Sequence, residues 1–143
     1  MKSKRKILII SWAAVILCMT VIFVLSHQTG EESQAFSDEF IIIFGLKFTS
    51  DFVRTCAHFL EYAGLSVLFY NALYRSFGYV RPVISVLLSS IYGITDEVHQ
   101  LFVEGRAFQI SDIIIDSIGA AAGVAVLTVL IMIFQKIKRR KQV

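Results

Sequence analysis

The sequence predicts an all-α membrane protein built as a bundle of four transmembrane helices. Of its 143 residues, 56% are hydrophobic, and the mean hydropathy of +0.70 is too high for an ordinary soluble domain. Four apolar runs have the roughly 20 residues that an α-helix needs to cross a bilayer core of about 30 Å. They cover about residues 7–25, 56–74, 82–102 and 113–134. No repeat or composition break divides the chain, so we expect residues 1–143 to form a single integral membrane domain.

The first apolar run follows four basic residues and could be mistaken for a secretory signal. It is long for a signal core, and no small-residue cleavage site follows Leu25, which favours a retained helix. The two cysteines, Cys18 and Cys56, lie in different runs without metal-ligand spacing. We therefore expect them to fill space between helices.

The basic residues predict the orientation of the helices. Of the 14 Lys and Arg residues, 11 lie at the N-terminus, in the short connection at 75–81, or after residue 135, whereas all 11 acidic residues lie between Glu31 and Asp116. The positive-inside rule then places both termini and that connection in the cytoplasm, and segments 26–55 and 103–112 outside. The net charge of +3 follows from this topology and from attraction to anionic lipid, and does not indicate nucleic-acid binding.

The first outer segment, 26–55, is too short to cross the membrane and return as two spans. Phe36, Phe40, Ile43 and Phe44 recur at roughly helical spacing after several acidic residues. This pattern favours an amphipathic or re-entrant segment over the outer mouth of the bundle, with a disordered acidic loop as the alternative. On the cytoplasmic side, Pro82 is suited to the start of a helix, so the helices at 56–74 and 82–102 are expected to form a hairpin.

Three of the four predicted helices carry a polar face, and such residues in membrane helices normally face the bundle interior. At 100° per residue, the polar side chains of each helix fall within a narrow arc, except Glu97, which lies about 100° from its neighbour and is expected at a helix interface. Counting residues from the outer ends predicts that the three faces meet in the outer half of the bilayer. The resulting candidate cluster comprises Arg54, His58, Glu61, Tyr62, Tyr92, Asp96, Glu97, His99, Gln100, Arg106, Asp112 and Asp116.

The chemistry of the candidate cluster stays open at this point. Its acids outnumber its bases, so either some carboxylates are protonated or a cation joins them. A hydrogen-bonded structural network, a ligand pocket and a divalent metal held by His58-x-x-Glu61 and Asp96-x-x-His99 are the three alternatives. The sequence requires no cofactor. Two arginines, at 54 and 106, could bind a phosphate or carboxylate head group or pair with nearby acids.

A G-x-x-x-G pattern, Gly119 to Gly123, shares the face of Asp112 and Asp116. Such a pattern lets another helix backbone approach closely. Because that face already points inward, packing inside the bundle is favoured over dimerisation, and the oligomeric state stays open.

Four motifs stand out along the chain: Ser26-x-Gln28, Arg54-x-x-x-His58-Phe-x-Glu61-Tyr62, Tyr92-x-x-x-Asp96-Glu97-x-His99-Gln100-x-Phe102-x-x-Gly105-Arg106 and Asp112-x-x-x-Asp116-x-x-Gly119. Together these motifs resemble the VanZ-like family over nearly the whole chain. The run containing Asp96, Glu97, His99 and Gln100 is the most specific of them. Two positions depart from the pattern: Glu104 stands where proline is expected, and Asp116 where asparagine is common.

The resemblance implies a multi-pass protein of the bacterial plasma membrane. The founding relative of that family raises resistance to teicoplanin and related lipid-tailed glycopeptides. We therefore expect a binding or protective protein that acts at the outer face on a lipid-tailed antibiotic or a lipid-linked envelope precursor. Two alternatives remain: an intramembrane hydrolase or transferase in which Glu61, Asp96 or His58 is the acid or base, and a structural partner of an envelope complex.

Overall fold

The computed structural model describes residues 2–141, which form α-helices and connections without any β-strand. The all-α prediction is therefore confirmed for this part of the chain. The helices are α1 (Lys2–Ser26), α2 (Gly30–Phe44), α3 (Ser50–Phe77), α4 (Pro82–Gln100) and α5 (Ile110–Arg140).

Helix α2 lies in the segment at 26–55 and excludes the alternative of a disordered loop for residues 30–44. Thr29 caps it: the hydroxyl of Thr29 accepts from the Glu32 amide, and the Glu32 carboxylate accepts from the Thr29 amide. Gly45 ends the helix in the left-handed conformation at φ 60°, where glycine is favoured. Both ends of this helix are thus specified by local sequence.

Most of the helices extend beyond the predicted apolar runs. The run at 56–74 becomes α3, which begins at Ser50 because the Thr49 hydroxyl accepts from the Phe52 amide 3.3 Å away. In α4, the helix starts at Pro82 as predicted but ends at Gln100, two residues before the apolar run does. Helices α1 and α5 extend beyond their apolar runs into charged flanking residues. Backbone hydrogen bonds define where a helix ends, so the limits of an apolar run do not mark the ends of the helix.

Two of the five helices, α1 and α5, are long and apolar enough to cross a membrane, with mean hydropathies of 2.8 and 2.4 over their most apolar stretches. The prediction of four such helices is thus met for two of them in residues 2–141. Helices α3 and α4 carry most of the candidate cluster, and those polar side chains lower their hydropathy.

Helix α3 is the centre of the bundle and packs against α1, α2, α4 and α5. Its contact with α5 is the closest, because a Cβ built on Gly119 would lie 2.3 Å from the carbonyl oxygen of Phe59, and one on Gly123 would lie 2.4 Å from that of Ala63. The two glycines therefore pack inside the bundle, which is the use that the sequence favours. The adjacent core joins α3 to α1 through Val15, Ile22, Tyr62, Leu65, Phe69 and Ala72.

Candidate functional site

A cavity of about 380 Å³ lies between α2 and α3 and reaches α4 and the loop at 101–109. We refer to it as the α2–α3 cavity. One part of its wall is polar, and the other part is formed by aromatic and aliphatic side chains. The polar lining residues are Ser26, Gln28, Ser33, Ser37, Arg54, His58, Glu61, Asp96 and Arg106. The large apolar ones are Leu25, Phe36, Phe40, Leu46, Phe48, Phe52, Val53 and Leu60.

Five members of the candidate cluster line this cavity, and they come from three parts of the chain. Arg54, His58 and Glu61 project from successive turns of α3, as their spacing predicts. Asp96 comes from α4, and Arg106 comes from the loop that follows it. At 1.5 Å per residue, Glu61 lies roughly 10 Å along α3 from Arg54, so the arginine and the carboxylate occupy different levels of the cavity.

His58 is held from behind by Asp116 of α5. The His58 Nδ1 atom lies 3.2 Å from Asp116 Oδ1, and the two side chains are 13% and 1% exposed. Gly93 of α4 makes room for this carboxylate, since a Cβ there would lie 3.0 Å from Asp116 Oδ2. The contact orients the imidazole, and the second ring nitrogen of His58, Nε2, makes no hydrogen bond with residues 2–141.

Three buried oxygens around this pair lack a hydrogen-bond partner among residues 2–141: the Tyr62 hydroxyl, Asp96 Oδ1 and Asp116 Oδ2. Unpaired buried polar atoms are costly, so their presence in one cluster requires an explanation. Of the three residues, Asp96 lines the α2–α3 cavity, whereas Tyr62 and Asp116 lie behind its wall. Asp96 Oδ1 and the hydroxyl of Ser26, which is also buried without a partner in the described residues and lines the cavity, are therefore the oxygens that a polar group in the cavity could satisfy.

Glu97 and Gln100 connect α4 to the start of α5. Glu97 is fully buried; its Oε1 accepts from Gln100 Nε2 at 2.9 Å and its Oε2 accepts from the Gln109 amide at 2.8 Å. The expected place of Glu97 at a helix interface agrees with this arrangement. Neither residue lines the α2–α3 cavity. Asp112 also lies outside it, where one carboxylate oxygen accepts from Gln109 Nε2 and the other from the Ser111 hydroxyl.

Tyr92 and His99, which the sequence groups with the other cluster residues, do not line the α2–α3 cavity. The Tyr92 hydroxyl donates to the Met19 carbonyl of α1 at 2.6 Å, and His99 Nε2 lies 3.1 Å from His27 Nδ1 at the end of α1. The His99 ring also packs on Phe23. Both side chains lie at the edge of the predicted polar arc of α4, and α1 packs against this edge. The angular positions on α4 could not reveal which helix would pack there.

Arg54 and Arg106 have few competing partners. Arg54 Nη1 lies 3.7 Å from the exposed Asp51 carboxylate, and Arg54 Nε is buried without a hydrogen bond to residues 2–141. Arg106 Nε donates to the Gln28 carbonyl at 3.1 Å and forms no salt bridge with an acid in the described residues. Burial and the nearby Arg54 guanidinium lower the pKa of Arg106. Arg54 therefore has one weak ion pair, and Arg106 has no salt bridge in the described residues, although Asp96, Glu97 and Asp112 are close enough to influence its charge.

No group of three or more His, Cys, Asp or Glu side chains in residues 2–141 has the arrangement of a metal site. In the two i, i+3 pairs that suggested one, each histidine has another partner: His58 contacts Asp116, and His99 contacts His27. The geometry thus does not support the metal alternative within the described chain.

The comparison with known families identifies the family of this chain. A family model described as VanZ/LLP1 matches residues 11–134. The chain belongs to the VanZ/LLP1 family. Together with the apolar helices α1 and α5, this membership indicates a membrane protein. Neither a curated protein nor a solved structure matches the chain.

The VanZ/LLP1 region contains every residue that lines the α2–α3 cavity, including several that the sequence did not single out. Ser33 and Ser37 are buried on the inner side of α2, and Phe48 and Phe52 flank the cap of α3. The i, i+4 spacing of each pair is a helical signal. It could have identified a shared face, but not the cavity which that face borders.

Proposed function

We propose that α1, α3, α4 and α5 cross the bacterial plasma membrane, with both termini in the cytoplasm. The distribution of exposed side chains supports four spans, because α3 and α4 direct large apolar residues outward and acids inward. Leu60, Leu87 and Ile91 are 66%, 53% and 57% exposed, whereas Asp96 and Glu97 are buried. A surface of this kind is stable in lipid rather than in water.

In this orientation, α2 lies at the outer surface and covers one side of the cavity. Its buried side carries Ser33 and Ser37, and its exposed side carries Phe36, Phe40 and Phe44. Aromatic side chains that remain exposed beside a cavity suit the interface between lipid and water. The α2–α3 cavity then opens toward the outer leaflet.

The function we propose is binding of a lipid-tailed molecule at the outer face, either a lipoglycopeptide antibiotic such as teicoplanin or a lipid-linked envelope precursor. One observation carries this proposal: the same cavity joins charged groups from α3 and α4 to an aromatic wall from α2 and the start of α3. A molecule with a polar head and an apolar tail matches both parts. The volume of about 380 Å³ falls in the range of roughly 300–1,000 Å³ that is usual for ligand sites.

Teicoplanin susceptibility of cells that express the protein tests this function. Wild type should raise the inhibitory concentration above that of empty vector, and His58→Gln and Asp96→Asn should not, at equal membrane abundance. Thr20→Val is the matched control, because Thr20 is an exposed α1 residue whose hydroxyl bonds only to its own helix. Protection by all four proteins would contradict a role of the cavity, and protection by none would contradict the antibiotic as ligand.

A second candidate, an intramembrane hydrolase or transferase, is favoured by the pair of His58 and Asp116. A histidine whose Nδ1 is held by a carboxylate and whose Nε2 is unbonded can act as a general base, and Glu61 lines the same cavity. Purified protein incubated with a lipid-linked envelope precursor distinguishes the two candidates. An enzyme converts the precursor, and His58→Gln abolishes conversion while binding persists; a binding protein releases the precursor unchanged.

A further inference from the structure

We propose that Arg54 and Arg106 bind the phosphate of a phosphate-headed lipid whose tail lies along the aromatic wall of the α2–α3 cavity. This inference rests on the proposed lipid-binding function and adds the class of head group. It assigns separate roles to two parts of the cavity, the arginine pair and the aromatic wall.

The arginine pair supplies the charge. Both side chains line the cavity, and their guanidinium groups are close enough to influence each other. Among residues 2–141, the exposed Asp51 carboxylate and the Gln28 carbonyl are the groups that contact them directly, and Asp96 is close enough to influence Arg106. Two like charges held together with uncommitted N–H donors favour an anion between them. A phosphate suits this position better than a carboxylate, since its several oxygens can accept from two guanidinium groups, whereas two carboxylate oxygens match one.

The backbone holds Arg106 in place without help from an acidic side chain. Gly30 donates its amide to the Glu104 carbonyl at 3.0 Å, and a Cβ on Gly30 would lie 2.2 Å from the Gly105 carbonyl oxygen. Gly105 itself has a φ of 71°, where glycine is favoured. The start of α2 therefore packs against the loop, and the residue after Gly105 enters the cavity wall in a fixed position.

Glu61, one of the two cavity carboxylates, lies away from the arginine pair along α3, whereas Asp96 of α4 is close enough to influence Arg106 without forming a salt bridge with it. Glu61 is about two turns deeper than Arg54, or roughly 10 Å at the helical rise. An anion at the level of Arg54 thus meets the arginines before it meets Glu61. The acids remain available to the uncharged polar part of a ligand, such as hydroxyl groups.

The aromatic wall suits the tail. Phe36, Phe40, Phe48 and Phe52 line the cavity, and each is also between 39% and 57% exposed. Side chains that contact the cavity on one side and the surroundings on the other mark an opening between α2 and α3. Through this opening a lipid tail could remain in the bilayer while its head group reaches the arginines.

Binding of short-chain lipids to the purified full-length protein in neutral phosphatidylcholine nanodiscs tests the inference. The probes are dioctanoyl phosphatidic acid, dioctanoylglycerol with the same tails and no charge, octanoate as a carboxylate, and inorganic phosphate without a tail. Phosphatidic acid should bind tightest, about tenfold or more above each of the others. Inorganic phosphate or octanoate binding as tightly as phosphatidic acid would overturn the inference.

Variants of Arg54 and Arg106 test whether these two residues bind the phosphate. Arg54→Gln should weaken phosphatidic acid binding by about tenfold and leave dioctanoylglycerol binding unchanged, and Arg54→Lys should fall between Arg54→Gln and wild type. Arg75→Gln is the control: it makes the same change on the same helix, at an exposed position outside the cavity. Arg106→Gln should act like Arg54→Gln, and the thermal unfolding temperature of each variant reports whether it folds.

The outcomes separate the two proposals. If dioctanoylglycerol binds wild type and Arg54→Gln retains full affinity for phosphatidic acid, the head-group assignment is wrong and lipid binding stands. If no lipid-tailed probe binds wild type, both proposals fail.

Discussion

His58 of α3 and Asp116 of α5 are 58 residues apart in sequence, and their side chains meet through an Nδ1 to Oδ1 contact of 3.2 Å. The carboxylate is almost fully buried, while the imidazole lies in the wall of the α2–α3 cavity. The pair thus joins the packing of two helices to the polar part of the cavity. Gly93 completes it from α4 by leaving space for the carboxylate.

Removing both partners should show strong coupling between them. In a double-mutant cycle of His58→Leu and Asp116→Ala, we expect a coupling energy of about 1–3 kcal/mol, because each single change leaves a buried polar group unpaired. Unfolding of the detergent-solubilised protein measures this energy. Asp116→Asn should cost less, since asparagine keeps an acceptor for Nδ1.

A matched cycle of His99→Leu and Asp116→Ala should be additive within about 0.5 kcal/mol, because His99 pairs with His27 instead. Equal coupling in both cycles would contradict the specific contact between His58 and Asp116.

Adding a methyl group to Gly119 should destabilise the bundle. The Cβ of Gly119→Ala would overlap the Phe59 carbonyl oxygen of α3, and backbone atoms cannot move aside as a flexible side chain can. We expect a loss of about 1–3 kcal/mol and a lower thermal unfolding temperature.

The control for this change is Gly64→Ala, also in a helix, where a Cβ would meet no other heavy atom within 4 Å. It should be neutral or stabilise by about 0.5–1 kcal/mol, because alanine favours helix more than glycine does. Equal losses at the two positions would show that α3 and α5 are not packed this closely.

Tyr92→Phe should lower stability and leave ligand binding unchanged. The hydroxyl of Tyr92 donates to the Met19 carbonyl on α1 and does not line the α2–α3 cavity. Its loss leaves one acceptor unpaired and should cost about 1 kcal/mol in the free energy of unfolding. Tyr70→Phe, which loses no hydrogen bond to residues 2–141, provides the comparison. A change in lipid affinity without a change in stability would place Tyr92 in the site instead.

Labelling of single cysteines in intact cells tests the proposed topology. In a background of Cys18→Ala and Cys56→Ala, an impermeant maleimide should label Lys47→Cys and Glu104→Cys and should not label Tyr79→Cys. All three positions lie in connections between helices. Permeabilised cells should show labelling of all three proteins, which controls for reactivity. Labelling of Tyr79→Cys in intact cells would contradict the orientation.

Much of the fold could be predicted because helix formation and amphipathicity are local. The apolar runs located α1, α3, α4 and α5, and the angular positions of Arg54, His58 and Glu61 placed them on one face. The helix ends were harder to predict, since the cap of α3 at Thr49 lies outside the apolar run. The α2 helix was expected as an amphipathic or re-entrant segment without defined ends, because a short amphipathic run does not specify the length of a helix.

The sequence alone determined the helical class, the polar faces and the close-packing glycines, all of which depend on residues a few positions apart on one helix. Only the tertiary structure decided which polar groups share a cavity. It separated Tyr92 and His99 from that group by packing them on α1, and it brought Arg106 beside Arg54 across 52 positions of chain. The physical reason is that such contacts depend on how closely two backbones approach. Here that approach depends on the absence of a side chain at Gly30, Gly93 and Gly119.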